Sequence, residues 1–373
     1  MNIVVYENRD ANNSINLYLN SQEIEIRTDH VNMLISHGAH VNEKDKNGNS
    51  PLHYACRYGY NEIAKLLLSH GASINEINKN GCSPLYEAFI KEDDELSELL
   101  MAYYVNTDDE IYVGGHYMTQ LYIACRFGCV KMIESLMVHG ANINRKNYNG
   151  ETILYDVCRW GNHVIAEILI NYGACVSEIN NYGNTPLHDA CWTKYGDNAG
   201  SLIKLLIDNG ANVNANGGRN GTPIFTACWA QSDFERMYVM AKLLIDNGAD
   251  VNEKNIHGIT PLHILCHRGN HEMIRFLIAH NADLNGSVSC NGSTPFHSAC
   301  QIGDQKTIEL LMSLHANIFI KNKKGQTPAM LARDSMHERA AIFLEKEIKK
   351  RIYILSLIIQ YDVMKYYIMK KID

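Results

Sequence analysis

Four side chains that commonly bind zinc lie within nine residues of one another: His263, Cys266, His267 and His271. Imidazole nitrogens and thiolates are the usual ligands of structural zinc sites, which hold them in pairs at regular spacings. Here Gly269 is expected to end a helix between His271 and the other three side chains. Moreover, His263 and Cys266 stand at positions that recur elsewhere in the chain. The segment therefore predicts no metal site.

The chain has eleven cysteines, which could serve as disulfides, metal ligands or packing residues. Nothing near the N-terminus has the form of a signal peptide, and no apolar run approaches the ~20 residues of a membrane span. We therefore expect an intracellular, cytoplasmic protein with reduced thiols, without excluding entry into the nucleus. Seven cysteines occupy one recurring position and are expected to be small packing residues: Cys56, Cys125, Cys158, Cys191, Cys228, Cys266 and Cys300.

Catalytic patterns do not emerge from the sequence. It contains no phosphate-binding glycine loop, no HExxH segment and no nucleophile elbow. The glycine-rich stretch from Gly217 to Gly221 falls in step with a longer repeat and is predicted to be a β-turn. The net charge of −7 gives no basic surplus for nucleic acid or an anionic membrane. We expect no enzymatic activity, no cofactor, no nucleic-acid partner and no membrane contact.

All seven prolines fall at one place in a repeated phrase, of which Thr260-Pro261-Leu262-His263 is an example. Two more copies have Gln120 and Ile153 in place of proline. The gaps between successive copies are 33, 36, 33, 33, 37, 38, 34 and 33 residues, so a unit of about 33 residues occurs nine times. The prolines are Pro51, Pro84, Pro186, Pro223, Pro261, Pro295 and Pro328.

Each copy carries the same start and stop residues. Thr or Ser is a preferred N-cap, and proline suits the first position of a helix. A second apolar run of helical period ends at glycine, which favours a left-handed C-cap; Asn281 and His315 replace that glycine in two copies. A Val/Ile-Asn pair and an Asn/Gly turn then lead to the next copy. The phrase histidines His53, His188, His263 and His297 are expected to brace the loops by hydrogen bonds.

The period and the Thr-Pro-Leu-His phrase resemble the ankyrin repeat over roughly residues 29–345. The resemblance implies an all-α fold, an ankyrin-repeat α-solenoid whose units are a β-turn plus a helix-loop-helix. About nine repeats, a degenerate N-terminal cap and a C-terminal helix are expected. The predicted division is a capping repeat (1–43), the repeat array (44–347) and an amphipathic C-terminal helix (348–373). Longer segments at 107–118, 194–201 and 231–239 interrupt the regular spacing.

We number each copy from the proline position, so that Leu52 is +1 in the first copy. At 100° per residue, positions +1, +4 and +5 of the first, or inner, helix form one side, which is the predicted core. The opposite side is centred on +3 and +6, with +2 and +7 at its edges. In ankyrin-like stacks this side lines the concave groove that contacts a partner. The predicted partner-binding residues are Tyr54, Arg57, Tyr58, Arg126, Phe127, Arg159, Trp160, Trp192, Trp229, His267 and Arg268.

Trp, Tyr and Arg are the types that dominate binding hot spots, so the leading hypothesis is a protein–protein interaction scaffold that uses this face. The other interpretation is that these aromatic side chains cover apolar surface of the neighbouring repeat, with Arg stacked beside them. Asn252 and Asn285 lie in segments that resemble ankyrin substrates of asparagine hydroxylation. The sequence does not name the partner.

Two alternatives to the interaction-scaffold hypothesis stay open. The C-terminal helix could cap the last repeat, or it could recruit a ubiquitin-ligase subunit and make the protein a substrate adaptor. Residues 344–348 weakly resemble the start of an F-box-like helix but lack its Leu-Pro opening. A metal-binding or enzymatic function hidden in the irregular repeats is the third hypothesis. The bias toward Asn, Ile, Lys and Tyr resembles ankyrin proteins of large DNA viruses, intracellular bacteria and protists, which suggests a pathogen protein acting on host proteins.

Overall fold

The structure is a computed structural model that describes residues 14–20, 27–103, 111–113, 116–193, 199–230, 233–288 and 290–369. Its repeated element is a pair of short helices, an inner helix that starts at the phrase position and an outer helix that follows. The inner helices have seven or eight residues and are too short to be stable alone in water. Each helix therefore depends on packing against its neighbours.

The described helices and strands follow one another along the chain. The first twelve elements are α1 (Ser14–Leu19), α2 (Thr28–Ser36), α3 (Pro51–Tyr58), α4 (Asn61–Ser69), α5 (Pro84–Ile90), α6 (Asp94–Tyr103), β1 (Ile111–Val113), β2 (His116–Met118), α7 (Gln120–Phe127), α8 (Val130–Val138), α9 (Ile153–Trp160) and α10 (His163–Asn171). The remaining ten are α11 (Pro186–Trp192), α12 (Ala199–Asp208), α13 (Pro223–Ala230), α14 (Phe234–Asp246), α15 (Pro261–Arg268), α16 (His271–Ala279), α17 (Pro295–Ile302), α18 (Gln305–Ser313), α19 (Pro328–Asp334) and α20 (Glu338–Met369).

The chain divides into two compact units. Unit 1 comprises Met1–Val157 and Val164–Cys175, and unit 2 comprises Cys158–His163 and Val176–Asp373. In unit 1, the inner helix α3 packs against both its outer helix α4 and the next inner helix α5. In unit 2, the inner helices α11, α13, α15, α17 and α19 pack one after another, and α19 packs against α20.

The core of each repeat lies where the helical period predicts it. Positions +1 and +4 are buried in all nine repeats that carry the phrase, as at Leu52 and Ala55, and position +5 is buried in seven of them, the exceptions being Phe89 and Arg333. A fully buried leucine contributes about 2 kcal/mol relative to an exposed one. All eleven cysteines lie in the described part of the chain and are unbridged, and the seven at +5 are buried. The packing role predicted for them is confirmed.

The predicted helix ends are also confirmed. The Thr119 hydroxyl accepts a hydrogen bond from the Tyr122 N–H at 3.2 Å, which is the expected N-cap. The two residues that replace the C-cap glycine, Asn281 and His315, have φ of 67° and 65° and take the same left-handed conformation. Glu92 adopts it too, with φ of 60°, at the junction between α5 and α6.

Seven of the described turns before the inner helices are closed by the same backbone hydrogen bond, from one residue to the fourth residue after it. The Asn78 N–H donates to the Cys82 carbonyl at 3.0 Å, and the Asn78 side-chain oxygen accepts from the N–H groups of Asn80 and Cys82. The same closure joins Gly217 to Gly221, although this turn also contains a 3₁₀ segment at Gly218–Asn220. The glycine-rich stretch is therefore a turn of the repeat, as predicted.

The irregular segments have different structures. Within the long connection at 107–118, β1 and β2 pair as an antiparallel hairpin with Tyr112 opposite Tyr117; the remainder of this connection before Ile111 and at 114–115 lies outside the described residues. The insertion predicted at 231–239 lengthens the outer helix α14 to 13 residues, whereas α16 and α18 have nine. Most of the 194–201 insertion lies outside the described residues. Among the described helices, none combines the length and apolar character that crossing a membrane requires.

Candidate partner-binding surface

The first turn of an inner helix is held by its phrase histidine. In four repeats the Nδ1 atom accepts a hydrogen bond from the N-cap backbone N–H, at 3.1 Å for His53. With Nδ1 acting as an acceptor, the proton lies on Nε2, which donates to a carbonyl of the next repeat at 3.0–3.1 Å. The four carbonyls belong to Cys82, Gly221, Ser293 and Gln326.

Burial keeps these rings neutral. It lowers the pKa of His53, His188 and His263 to about 4, and it lowers the pKa of His297 as well. A neutral ring is also what the hydrogen bonds require, because a proton on Nδ1 would face the N-cap N–H. The predicted bracing role is confirmed, and each brace connects one repeat to the next.

A second connection between repeats uses the asparagine of the Val/Ile-Asn pair. The Asn252 amide nitrogen donates to the Asn281 carbonyl at 2.9 Å, and its oxygen accepts from the Asp283 N–H at 2.6 Å. Asn42, Asn144 and Asn214 make the same pair of bonds to the repeat that follows each of them. Asn285 accepts from the Asn317 N–H at 2.9 Å. This role is not among those predicted from the sequence, although the recurrence of the asparagine in successive repeats indicates it.

Several of the predicted partner-binding residues are engaged within the fold. Tyr54 is only 4% exposed, and its hydroxyl donates to the Asp45 carboxylate at 2.7 Å. Arg57 makes two hydrogen bonds to the Glu87 carboxylate, at 2.6 and 3.1 Å. Arg159 forms an ion pair of 2.8 Å with Asp189. These two arginines at +6 each reach the acidic residue at +3 of the next repeat.

The prediction that position +3 faces solvent is wrong. Tyr54, Ile123 and Ile264 are all buried. The helical wheel treats the inner helix as isolated, whereas the preceding turn folds over this side, as the bond from Tyr54 to Asp45 demonstrates. Tyr58 at +7 is half-buried, and its hydroxyl donates to Asn20 at 3.0 Å.

The other predicted residues remain accessible at +6 and +7. In unit 1, Arg126 and Phe127 are exposed, with the guanidinium carbon 6.0 Å from the centre of the phenyl ring. In unit 2, Trp192 is 39% and Trp229 48% exposed, both at +6 of consecutive inner helices, and Trp160 is half-buried. We call Trp192, Trp229, His267 and Arg268 the unit 2 inner surface.

The comparisons with known proteins decide the family. The family model described as ankyrin repeats (3 copies) matches residues 23–111, 121–217 and 224–322, which is more than half of the chain. The chain belongs to the ankyrin repeat family. The crystal structure of the human ASB11 ankyrin repeat domain is similar, with 23% identity and a TM-score of 0.50, over 61% of this chain and 98% of that one. No curated protein matches the chain.

The predicted fold class, an ankyrin-repeat α-solenoid, is therefore confirmed. Ankyrin repeats are generally protein–protein interaction modules, and the fold is typically a binding scaffold without enzymatic activity. In such repeats the constant residues build the fold, so the side chains that vary between repeats and stay exposed are the ones available to a partner.

Within the unit 2 inner surface, a side chain of α15 is hydrogen-bonded to the backbone of α13. The Arg268 guanidinium donates to the Trp229 carbonyl and, at 3.4 Å, to the Cys228 carbonyl. This places a cation from one ankyrin repeat beside the tryptophan of the preceding repeat. Ile302, at +7 of α17, is 41% exposed and adds an apolar side chain in the next repeat.

The four side chains first considered as zinc ligands occupy separate environments. His263 is buried in its cap, Cys266 is buried in the packing position and His267 is exposed. His271 lies against the Asp304 carboxylate at 3.1 Å. Among the described residues, no group of three or more His, Cys, Asp or Glu side chains is arranged to hold a metal ion.

Proposed function

We propose that this ankyrin repeat protein is an interaction scaffold whose unit 2 inner surface binds a partner protein. The observation that carries the proposal is the exposure of Trp192 and Trp229 at the same position of consecutive inner helices. A tryptophan at an exposed +6 position adds little to the fold, and tryptophan and arginine are the types most enriched in binding hot spots.

The charges around this surface indicate the character of the partner segment. Asp189 is paired with Arg159, and Asp334 accepts a hydrogen bond from the Gln326 side chain. The exposed basic side chains on the turns and inner helices of unit 2 are Arg219, Lys254, Arg268, Lys321, Lys323, Lys324 and Arg333, of which Arg333 pairs with Glu345. A segment that carries acidic residues beside large apolar ones would match both the cations and the two tryptophans.

The first experiment asks which face of unit 2 meets a partner. A photo-crosslinking amino acid is placed at position 229 and, as the matched control, at position 239 of the outer helix in the same repeat. Trp229 and Val239 are similarly exposed, at 48% and 44%. We expect a crosslinked protein from cells with the probe at 229 that does not form with the probe at 239. Equal products at both positions would contradict the proposal.

The second experiment measures affinity for the protein so identified. Replacing both tryptophans (Trp192→Ala with Trp229→Ala) should weaken binding about thirtyfold or more, since a hot-spot residue contributes about 2 kcal/mol or more. Replacement of Val239 by Ala is the control and should leave affinity unchanged. An unchanged affinity in the tryptophan variant would exclude this surface.

The finer predictions from the sequence stand beside this proposal. The contribution of Arg126 and Phe127 in unit 1 to partner binding stays a prediction, as do the action on host proteins and the division of the chain at residues 43 and 347. The adaptor role, in which the C-terminal helix recruits a ubiquitin-ligase subunit, also stays an alternative. Loss of that one partner on deletion of residues 348–373, with thermal stability unchanged, would support it.

A further inference from the structure

The long C-terminal helix α20 changes its surroundings part-way along. Ala340, Ala341 and Leu344 are buried, and Glu345 pairs with Arg333 of α19 at 2.8 Å. From residue 352 to 361, every side chain is exposed. Eight of these ten are large and apolar, each between 46 and 68% exposed: Ile352, Tyr353, Ile354, Leu355, Leu357, Ile358, Ile359 and Tyr361.

The two polar side chains of this segment, Ser356 and Gln360, lie on one narrow stripe of the helix, which also includes the Tyr353 hydroxyl and, one turn earlier, Lys349. Lys349, Tyr353, Ser356 and Gln360 are spaced by four, three and four residues, so they lie on one side of the helix. The aliphatic side chains and Tyr361 occupy the rest of the circumference, an arc of about 220° at 100° per residue. A helix that packs on one partner helix needs only a narrow apolar seam. An arc this wide favours an environment that surrounds the helix on most sides.

The charges next to this segment are basic. Lys346, Lys349, Lys350 and Arg351 lie within six residues, with Glu347 as the one acid among them, in a chain whose net charge is −7. The three lysines are exposed. Basic clusters beside an apolar helix are attracted to anionic lipid headgroups, and tyrosine favours the boundary between headgroups and hydrocarbon.

We infer that residues 352–361 of α20, together with the basic residues just before them, bind an anionic membrane surface. The helix lies in the plane of the interface, with the polar stripe toward water, the aliphatic arc among the upper acyl chains and the lysines on the headgroups. Residues 352–361 extend about 15 Å, which is half of the ~30 Å hydrocarbon core, so attachment is peripheral. The expectation of no membrane contact rests on the charge of the whole chain, whereas the local charge here has the opposite sign.

The test is co-sedimentation of the full chain with vesicles. Vesicles of phosphatidylcholine and phosphatidylserine, three parts to one, are compared with phosphatidylcholine alone at low and high salt. We expect binding to the mixed vesicles that salt weakens. The variant Lys346→Gln, Lys349→Gln, Lys350→Gln should bind about a hundredfold more weakly, since each basic residue contributes about fivefold. The variant Ile358→Ser, Ile359→Ser should lose about tenfold or more.

The matched control is Lys321→Gln, Lys323→Gln, Lys324→Gln, which makes the same change in net charge on exposed turn residues and should leave vesicle binding unchanged. Thermal melts verify that each variant is folded. Equal binding to both vesicle types, or an equal loss in the control, would overturn the inference. A wild-type dimer in sedimentation velocity that Ile358→Ser, Ile359→Ser converts to a monomer, without vesicle binding, would assign the segment to a second copy of the chain. Removal of Trp192 and Trp229 should not alter vesicle binding, which separates this test from that of the proposed function.

Discussion

The two ends of the inner helices differ in how constant and how buried their side chains are. At the first turn, four repeats share the same histidine brace, with bonds to the next repeat of 3.0–3.1 Å and buried, neutral rings. At the last turn, positions +6 and +7 differ from repeat to repeat and are mostly exposed. Arg57 and Arg159 at the last turn pair with the next repeat, but the other exposed side chains at this end, such as Trp192 and Trp229, are available to a partner. Substitutions at the two ends should therefore separate stability from binding.

The largest expected effect concerns the first turn of the inner helices, where the buried histidines make the stability of the fold sensitive to acid. Between pH 6.5 and about 4, an unfolded histidine binds a proton that His53, His188 and His263 in the fold do not. Stability is therefore complete above pH 6.5 and falls as the pH drops toward 4, by about 3 kcal/mol for each of the three histidines. Urea midpoints measured from pH 7.5 to 4.5 check this.

Two substitutions in α15 provide the control for acid sensitivity. His263→Gln should remove its share of the pH dependence, and His267→Gln, which removes an exposed histidine from the last turn of the same helix, is the comparison. Identical pH profiles for the two variants would show that the braces do not set the acid response.

A smaller difference in stability is expected between the two arginines at +6 in unit 1, one paired and one exposed. Arg57→Ala leaves the Glu87 carboxylate, whose side chain is 10% exposed, without its two hydrogen bonds, and should cost about 2 kcal/mol of unfolding free energy. Arg126→Ala, at the same position of α7, removes an exposed side chain and should cost less than about 0.5 kcal/mol. Denaturant unfolding of both variants measures the difference, and equal losses would refute the distinction between paired and exposed arginines.

The exposed tryptophans should contribute least to the fold. We expect Trp229→Ala to change the unfolding free energy by about 1 kcal/mol or less, because about half of the side chain already faces solvent. The same denaturant experiment applies. A loss of about 3 kcal/mol, typical of a buried tryptophan, would assign Trp229 to the core rather than to a binding surface.

The prediction of asparagine hydroxylation concerns a change too small to unfold the repeats. One added oxygen atom on Asn252 or Asn285, after expression in animal cells, should appear in peptide mass spectra. Both side chains accept a hydrogen bond from the following repeat, and Asn214 makes the same bonds and serves as the internal comparison. Unmodified peptides at both sites would refute the prediction.

Much of the fold can be predicted from local rules, because each repeat depends on contacts that recur every 33 residues or so. The N-caps, the left-handed Asn281 and His315, the packed cysteines and the braced histidines all follow from residue type and position. The burial of Tyr54 does not, because it arises from the turn that folds over the helix. The pairing of Arg57 with Glu87 crosses 30 residues, and its only sign in the sequence is that the same spacing recurs between Arg159 and Asp189. The exposure of the C-terminal apolar segment depends on where along α20 the last repeat stops covering the helix. The repeat period does not predict that position.

The buried cysteines have a further consequence. Burial raises the pKa of the Cys228 thiol to about 12 and raises that of Cys56, Cys125, Cys191, Cys266 and Cys300, so almost no reactive thiolate forms while a repeat stays closed. Cys290 is exposed, so reagent reaches it without any opening of the fold. In each of these six repeats, alkylation of the buried cysteine therefore requires that the repeat open. Pulsed alkylation followed by peptide mapping would record the order in which the repeats open.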